Sequence, residues 1–193
     1  MSCSGGPFSC PETRAAATAR LHSLLTAFAL YEPSIGYCQG LHDCAAPFLE
    51  VFDEDWKAFW CFRQLMCRVG CNFQEGMVSI QREMAKVAVL LSVIDPALSR
   101  HLRTVEAGDC RFCFQMLLLL FRREVPWQQL LVLWESLWAY EATTQCNLHV
   151  EVAVAMLQVH RKTLLQCREF GDVVMVRYQT GKQHASTADT SIA

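Results

Sequence analysis

Apolar residues recur along most of this chain at the spacing of an α-helix, and this periodicity constrains the fold more than any other feature. Before Pro33 they stand at i, i+3, i+4, i+7 and i+8, as Leu21, Leu24, Leu25, Phe28 and Ala29. Such spacing places the apolar side chains on one face of a helix. The first half of the chain contains no alternation of apolar and polar residues typical of a strand. The pattern therefore predicts an all-α fold.

Turn signals divide this pattern into successive helices. We predict helices over about 15–31, 41–52, 55–70, 77–94, 110–123, from 126 onward and over about 148–167, with a short helix or turn over 96–103. Pro47 should kink the second helix because it lacks a backbone donor. Asp53 and Asp55 are expected N-caps of the third. One face of that third helix is predicted to carry Trp56, Phe59, Trp60, Arg63 and Met66.

The helix predicted over 110–123 is apolar nearly all round, which indicates a central position in the bundle. With 52% hydrophobic and 19% charged residues, the 193-residue chain can bury one sizeable core. We expect a disordered lead-in over 1–14, a single helical array over 15–170 and a mostly disordered tail over 171–193. A net charge of −2 gives no strong attraction to nucleic acid or to an anionic membrane.

The eleven cysteines favour a reduced, cytoplasmic protein over a disulfide framework. Their number is odd, and five of them lie inside apolar helical patterns where cysteine serves as a small hydrophobe: Cys44, Cys61, Cys67, Cys110 and Cys113. Two alternatives use them chemically. One is a zinc site, whose ligands would be Cys67, Cys71, Cys110 and Cys113. The other is a thiol nucleophile, for which Cys38 and His42 form the nearest Cys/His pair.

A polar, turn-rich interruption separates the first two predicted helices. Pro33 and Gly36 break the first helix, and Gly40 permits close backbone approach where the second begins. This arrangement would present Tyr37 and Gln39 on one face at a helix N-terminus. A neutral amide can accept from a water and donate to a phosphate oxygen in one pose. A capped turn with a core tyrosine is the alternative that the residues alone leave open.

Two separated blocks of the chain closely resemble the TBC domain of Rab GTPase-activating proteins. The first block contains that family's Tyr-x-Gln motif and comprises residues 31–43, 45–49 and 58–62. The other block, residues 121–127 and 133–138, resembles the family's F-K/R-R-E-F and L-W-E-x-x-W segments. The resemblance runs from about Leu21 to Cys167. It implies an all-α helical array of the Rab-GAP TBC type that is N-terminally incomplete.

The resemblance also implies a function. The chain would bind the switch region of a GTP-loaded Rab-type GTPase and supply Gln39 in trans to position the attacking water. Tyr37 would pack against Gln39 and orient it, while Gly40 and Asp43 support the turn. Asp43 stands four residues after Gln39, a spacing that shares one helix face, and can accept from backbone donors.

Such a protein regulates vesicle traffic by stimulating hydrolysis in its partner and is not itself an enzyme. GTP and Mg²⁺ would arrive with the partner GTPase, so no cofactor or metal of the chain's own is expected. We expect a cytoplasmic protein that reaches endomembranes through that partner. The alternatives for Arg122-Arg123-Glu124 are a charged surface loop and a buried structural ion pair at a helix junction. We expect Arg123 and Glu124 to form the pair, next to the inward stripe that contains Trp134.

The resemblance is incomplete at one catalytic element. The family takes its arginine finger from an Ile-x-x-Asp-x-x-Arg segment upstream of Tyr-x-Gln. Here only Arg14 and Arg20 precede Gln39, and no aspartate precedes Asp43. Because an arginine finger supplies about 10³ to 10⁵ in rate, or about 4–7 kcal/mol, activation by Gln39 alone should be weak. The alternative is a non-catalytic TBC-like module that binds a small GTPase or another partner.

Overall fold

The computed structural model describes residues 11–74, 76–144 and 148–176. In these residues it contains helices and turns and no strand, which confirms the all-α prediction. None of the described helices is both long and apolar enough to cross a bilayer. The chain divides into two compact units, one ending at Met77 and the other beginning at Val78.

Three helices form the N-terminal unit. They are α1 (Pro11–Tyr31), α2 (Leu41–Val51) and α3 (Asp55–Val69), followed by a short 3₁₀ turn at Gly70–Phe73. Helix α1 starts earlier than the periodicity predicts, so residues 11–14 are helical and the expected lead-in is wrong for them. Residues 1–10 lie outside the described residues. Pro47 lies buried inside α2, and the kink expected there stays a prediction.

Aromatic side chains build the core of the N-terminal unit. Phe28 of α1 meets Phe62 of α3 edge to face, with ring centroids 4.9 Å apart, and Phe48 of α2 lies 6.3 Å from the same ring. Each such buried ring contributes about 1.5–3 kcal/mol through the hydrophobic effect. All three helices are thereby fixed around Phe62, and α1 and α2 carry the loop between them.

Apart from Met66, the residues predicted to share one face of α3 are not the buried ones. The buried residues of this helix are Ala58, Phe62, Leu65, Met66 and Val69. Trp56 and Trp60 are instead 63% and 49% exposed. Small Ala58 lies in the core, while the larger aromatic residues of the predicted face remain outside. The predicted caps are also wrong, since Glu54 occupies the N-cap position and makes no side-chain cap bond.

Arg20 ties the end of α2 to the start of α3. Its Nε donates to Asp55 Oδ1 over 2.6 Å. Its terminal nitrogens donate to three backbone carbonyls, at 3.2 Å from Leu49, 2.8 Å from Phe52 and 2.9 Å from Asp53. Carbonyls at a helix C-terminus lack intrahelical donors and favour a cation. Arg20 therefore serves as a C-terminal cap of α2.

We expect Arg20→Ala to lower the free energy of unfolding by about 1.5–3 kcal/mol, because it removes charge-assisted hydrogen bonds and leaves carbonyls unsatisfied. Arg20→Lys should restore little, since an ammonium lacks the guanidinium's fork of donors. Urea unfolding followed by far-UV circular dichroism measures the change. Arg14→Ala, at an exposed position of α1, is the control; an equal loss in both variants would contradict the capping role.

The helices of the C-terminal unit vary widely in length. They are α4 (Val78–Ile94), α5 (Pro96–Thr104), α6 (Phe114–Leu118), α7 (Trp127–Thr144), α8 (His149–Val159) and α9 (Arg161–Leu164). The helix predicted over 148–167 is therefore broken at His160. Residues 170–176 are also helical and Val173 is buried, so the disordered tail is wrong for 171–176. Residues 177–193 lie outside the described residues.

The long helix predicted over 110–123 is replaced by a 3₁₀ turn, the short α6 and a further turn. Leu120 and Phe121 adopt positive φ angles of 51° and 64°, which end any helix there. Every residue from Met116 to Phe121 is nevertheless buried. The segment is thus buried as expected, while its central position in the bundle stays a prediction; the error lies in taking continuous hydrophobicity for continuous helix.

Asp95 joins α4, α5 and α9. Its Oδ1 accepts from the backbone N–H of Leu98 over 3.0 Å and so caps α5. Arg161 Nε lies 2.5 Å from Asp95 Oδ2. The hydrogen bond from Arg161, helped by that from Leu98, lowers the pKa of Asp95, and this outweighs the effect of burial.

This lowered pKa predicts an acid dependence of stability. A carboxylate whose pKa is lower in the folded state stabilises the fold above its unfolded pKa, about 3.9, and loses that contribution as pH falls through the folded value. We expect Asp95→Asn, which keeps an oxygen acceptor for Leu98, to lose less unfolding free energy between pH 6 and pH 3 than the parent. Parallel urea-unfolding series for both proteins over this range would contradict the expectation.

Candidate functional site

Gln39 lies in the turn immediately before α2, at the end of the loop formed by residues 32–40. Its side chain is exposed, and among the described residues it has no hydrogen-bond partner. The amide can therefore offer both its acceptor oxygen and its donor nitrogen to a partner molecule. This is the position at a helix N-terminus that the sequence indicates, while the catalytic role stays a prediction.

Gly40 makes this turn possible. It is the N-cap residue of α2, with φ 107° and ψ −22°, and is buried. Its carbonyl accepts from the backbone N–H groups of Asp43 and Cys44 at 3.0 and 3.4 Å. A residue with a Cβ is strained at this φ, so the site requires glycine. Gly40 thus fixes the position of Gln39 immediately before the first turn of α2.

The loop is anchored along its length within the N-terminal unit. The backbone N–H of Glu32 donates to Phe28 O over 2.8 Å at the end of α1. The Ile35 side chain lies close to Gly70, since a Cβ atom added to Gly70 would be 2.6 Å from the Ile35 Cδ1 atom. The Cys38 thiol donates to Phe73 O over 3.9 Å. These contacts hold the residue preceding Gln39 while leaving the glutamine side chain in solvent.

The thiol-nucleophile alternative loses its chemical basis in this loop. Burial raises the pKa of the Cys38 thiol, and the protonated sulfur donates its hydrogen to a carbonyl. A thiolate is the reactive form, so a raised pKa makes this cysteine a poor nucleophile. His42 Nε2 lies 3.4 Å from Asp43 Oδ2, which gives the imidazole a carboxylate neighbour.

The supporting residues differ from expectation in two respects. Tyr37 is 59% exposed, so a core tyrosine is excluded, and its role in orienting Gln39 stays a prediction. Asp43 is half-buried in the first turn of α2, whereas Gln39 precedes the helix, so the two share no helix face. A carboxylate in the first turn of a helix still interacts favourably with the helix dipole.

Sequence reasoning missed a second exposed feature of the N-terminal unit, here called the aromatic patch, which consists of Tyr31, Trp56, Phe59 and Trp60. The Tyr31 ring meets the Phe59 and Trp60 rings edge to face at 5.7 and 5.6 Å. The Arg63 guanidinium lies 5.9 Å from the centroid of the Tyr31 ring. The i, i+4 spacing of the two tryptophans could have signalled the patch, but the same spacing also describes a core stripe.

In the C-terminal unit, Trp134 is buried and its indole Nε1 donates to Leu120 O over 2.9 Å. Glu124 is buried, but Arg123 is exposed. An ion pair buried on both sides is therefore wrong, and a pairing between these two residues stays a prediction. The hydrogen bond from Trp134 fixes the turn that begins at Leu119.

The four cysteines of the zinc alternative lie in different settings: Cys67 and Cys71 are exposed, while Cys110 and Cys113 are buried. Among the described residues, no group of three or more His, Cys, Asp or Glu side chains could hold a metal ion.

Comparison with known families identifies the class of protein to which this fold and this loop belong. The model of the Rab-GTPase-TBC domain matches residues 10–165, and the chain belongs to this family. It is 42% identical over 129 residues to Rab GTPase-activating protein 22 of Arabidopsis thaliana, which covers 67% of this chain and 24% of the relative. It is 38% identical over 145 residues to TBC1 domain family member 17 of Homo sapiens, covering 75% of this chain and 22% of the relative.

Solved structures agree on the fold. The crystal structure of the Ypt/Rab-GAP domain of Gyp1p matches with a TM-score of 0.74 at 20% identity, over 88% of this chain and 60% of that chain. The Chlamydomonas flagellar RabGAP TBC domain matches with a TM-score of 0.71, also at 20% identity, over 91% and 56%. The chain thus spans less than two thirds of the solved domains and about a quarter of the sequence relatives.

Proposed function

We propose that this chain stimulates GTP hydrolysis by a Rab-type small GTPase and that Gln39 acts in trans to position the attacking water. GTP and Mg²⁺ come with the partner, so the chain regulates hydrolysis carried out by another protein. We place this activity in the cytoplasm, with the GTPase bringing the chain to endomembranes.

The exposure of Gln39 on an anchored turn carries this proposal. The side chain is exposed and has no hydrogen-bond partner among the described residues. Its backbone is held through Gly40 and through the contact of Cys38 with Phe73. A group that orients a reacting water gains most when its position is fixed before the reaction. Membership of the Rab-GTPase-TBC family supports a GTPase as the partner.

Neither of the two arginines that precede Gln39 is a suitable arginine finger. Arg20 donates to Asp55 and to the carbonyls at the end of α2, and these contacts would have to break. Arg14 lies at an exposed position within the first turns of α1. Without an arginine from another source, the chain should stabilise the transition state of hydrolysis by about 4–7 kcal/mol less than a complete arginine–glutamine pair does. This is why a GTPase-binding module without stimulation is the second candidate.

Single-turnover GTP hydrolysis separates the two candidates. A panel of GTP-loaded Rab GTPases is mixed with the purified chain in excess, and phosphate release is followed against each GTPase alone. Faster hydrolysis by at least one member supports the proposal. Saturable binding to a GTPase with an unchanged hydrolysis rate would overturn it in favour of the binding module.

A further inference from the structure

We propose that the aromatic patch docks the same GTPase that Gln39 serves, so that partner affinity is governed by a surface distinct from the water-positioning residue. The inference rests on the proposed function for the identity of the partner. It adds a set of residues that determine affinity, anchored by Trp60 and Arg63, which the Tyr-x-Gln motif does not contain.

The composition of the patch is that of a binding surface. Trp56 and Trp60 expose about half or more of their surface, and Tyr31 is 50% exposed beside them. The Tyr31–Trp60 and Phe59–Trp60 ring contacts, at 5.6 and 5.3 Å, hold three rings as one rigid group. Tryptophan, tyrosine and arginine are the residues most enriched where interfaces bind strongly. A rigid group loses little side-chain entropy when it is covered.

Arg63 gives an independent indication that a partner molecule covers this surface. Its guanidinium lies against the Tyr31 ring, and within the described part of the chain it has no acidic partner. Its Nε atom is buried and lacks a hydrogen-bond acceptor there. A buried donor without an acceptor is unfavourable, because it has lost its hydrogen bonds to water without replacement. A carboxylate on a partner would satisfy the charge and accept from the guanidinium.

The path of the loop connects the patch to Gln39. Tyr31 is the last residue of α1 and contacts α3 at Trp60, while Ile35 reaches Gly70 at the end of α3. Trp60 and Gly70 are ten residues apart, about 15 Å along the helix axis. The loop therefore runs beside α3 from the patch toward Gln39. A standard interface of about 800 Å² on each partner is about 30 Å across, so one globular GTPase can cover both.

Binding of a GTPase loaded with a non-hydrolysable GTP analogue tests this inference separately from hydrolysis. We expect Trp60→Ala to raise the dissociation constant by about tenfold or more and Arg63→Gln to raise it by about three- to tenfold. At saturating chain, both variants should still give the parental hydrolysis rate. Gln39→Ala should show the converse, with near-parental affinity and no stimulation of GTP hydrolysis. Tyr140→Ala, an exposed tyrosine on α7, is the matched control.

Trp56→Ala provides a further test, because this ring is more exposed than Trp60 and its removal disturbs folding less. Parental affinity in the Trp56, Trp60 and Arg63 variants, each with an unchanged melting temperature, would overturn the inference. So would sedimentation showing that the patch pairs two copies of the chain, or failure of every panel member to bind. Binding that depends on the patch without stimulated hydrolysis would uphold the inference and overturn the proposed function.

Discussion

Gln39→Ala is expected to reduce stimulated GTP hydrolysis to the background rate of the GTPase, a loss of the whole stimulation, because the amide that positions the attacking water is removed. The side chain is exposed and unbonded within the described residues, so its removal should change the free energy of unfolding by no more than about 0.5 kcal/mol. Single-turnover phosphate release at saturating chain measures the rate, and urea unfolding measures the stability.

Two further variants sharpen this result. Gln39→Asn keeps the amide but shortens its reach by one methylene, and we expect it to lose most of the stimulation because water positioning depends on geometry. Gln158→Ala, at an exposed position of α8, removes an amide from a helix surface and should leave the rate unchanged. A rate in Gln39→Ala equal to that of the parent would remove Gln39 from the mechanism.

Trp134→Ala is expected to have the largest effect on stability, a loss of about 3–5 kcal/mol. The substitution deletes a buried indole and leaves a cavity. It also removes the Nε1 donor from Leu120 O, at a turn where Leu120 and Phe121 both have positive φ. Far-UV circular dichroism during urea unfolding follows the change without relying on tryptophan fluorescence. A loss below about 1 kcal/mol would contradict this account.

Trp134→Phe separates the two contributions. It keeps much of the buried ring but leaves the Leu120 carbonyl without its donor, and we expect a loss of about 1–3 kcal/mol. Trp138→Ala is the comparison, since this ring lies 5.6 Å from Trp134 but is only half-buried. Its loss should be smaller than that of Trp134→Ala. The opposite order would mean that the indole hydrogen bond contributes little to holding the turn.

The sequence allowed the helix order and the exposed position of Gln39 to be predicted, because both depend on local signals. Pro33 ends α1, and Gly40 marks the start of α2 through a backbone angle that other residues adopt only under strain. The end of α4 before Asp95-Pro96 followed from the same kind of signal. These features depend on a few adjacent residues.

Other features depended on residues far apart and were not predictable. Arg20 finds its acceptors about thirty residues later, and no local pattern marks such a contact. Helical periodicity gave α3 a plausible face, but contact with Phe28 and Phe48 selects the face that contains Phe62. Between Met116 and Phe121, burial of every residue erased the periodicity that distinguishes helix from turn.

The anchoring of the loop at Phe28, Gly70 and Phe73 has a kinetic consequence. A segment that is fixed when the domain folds has already lost its conformational entropy, so little ordering remains for the moment of encounter. Association with a partner should then resemble the docking of two preformed surfaces, at about 10⁵–10⁷ M⁻¹ s⁻¹. Complexes that differ in affinity because of substitutions on this surface should differ chiefly in how long they last.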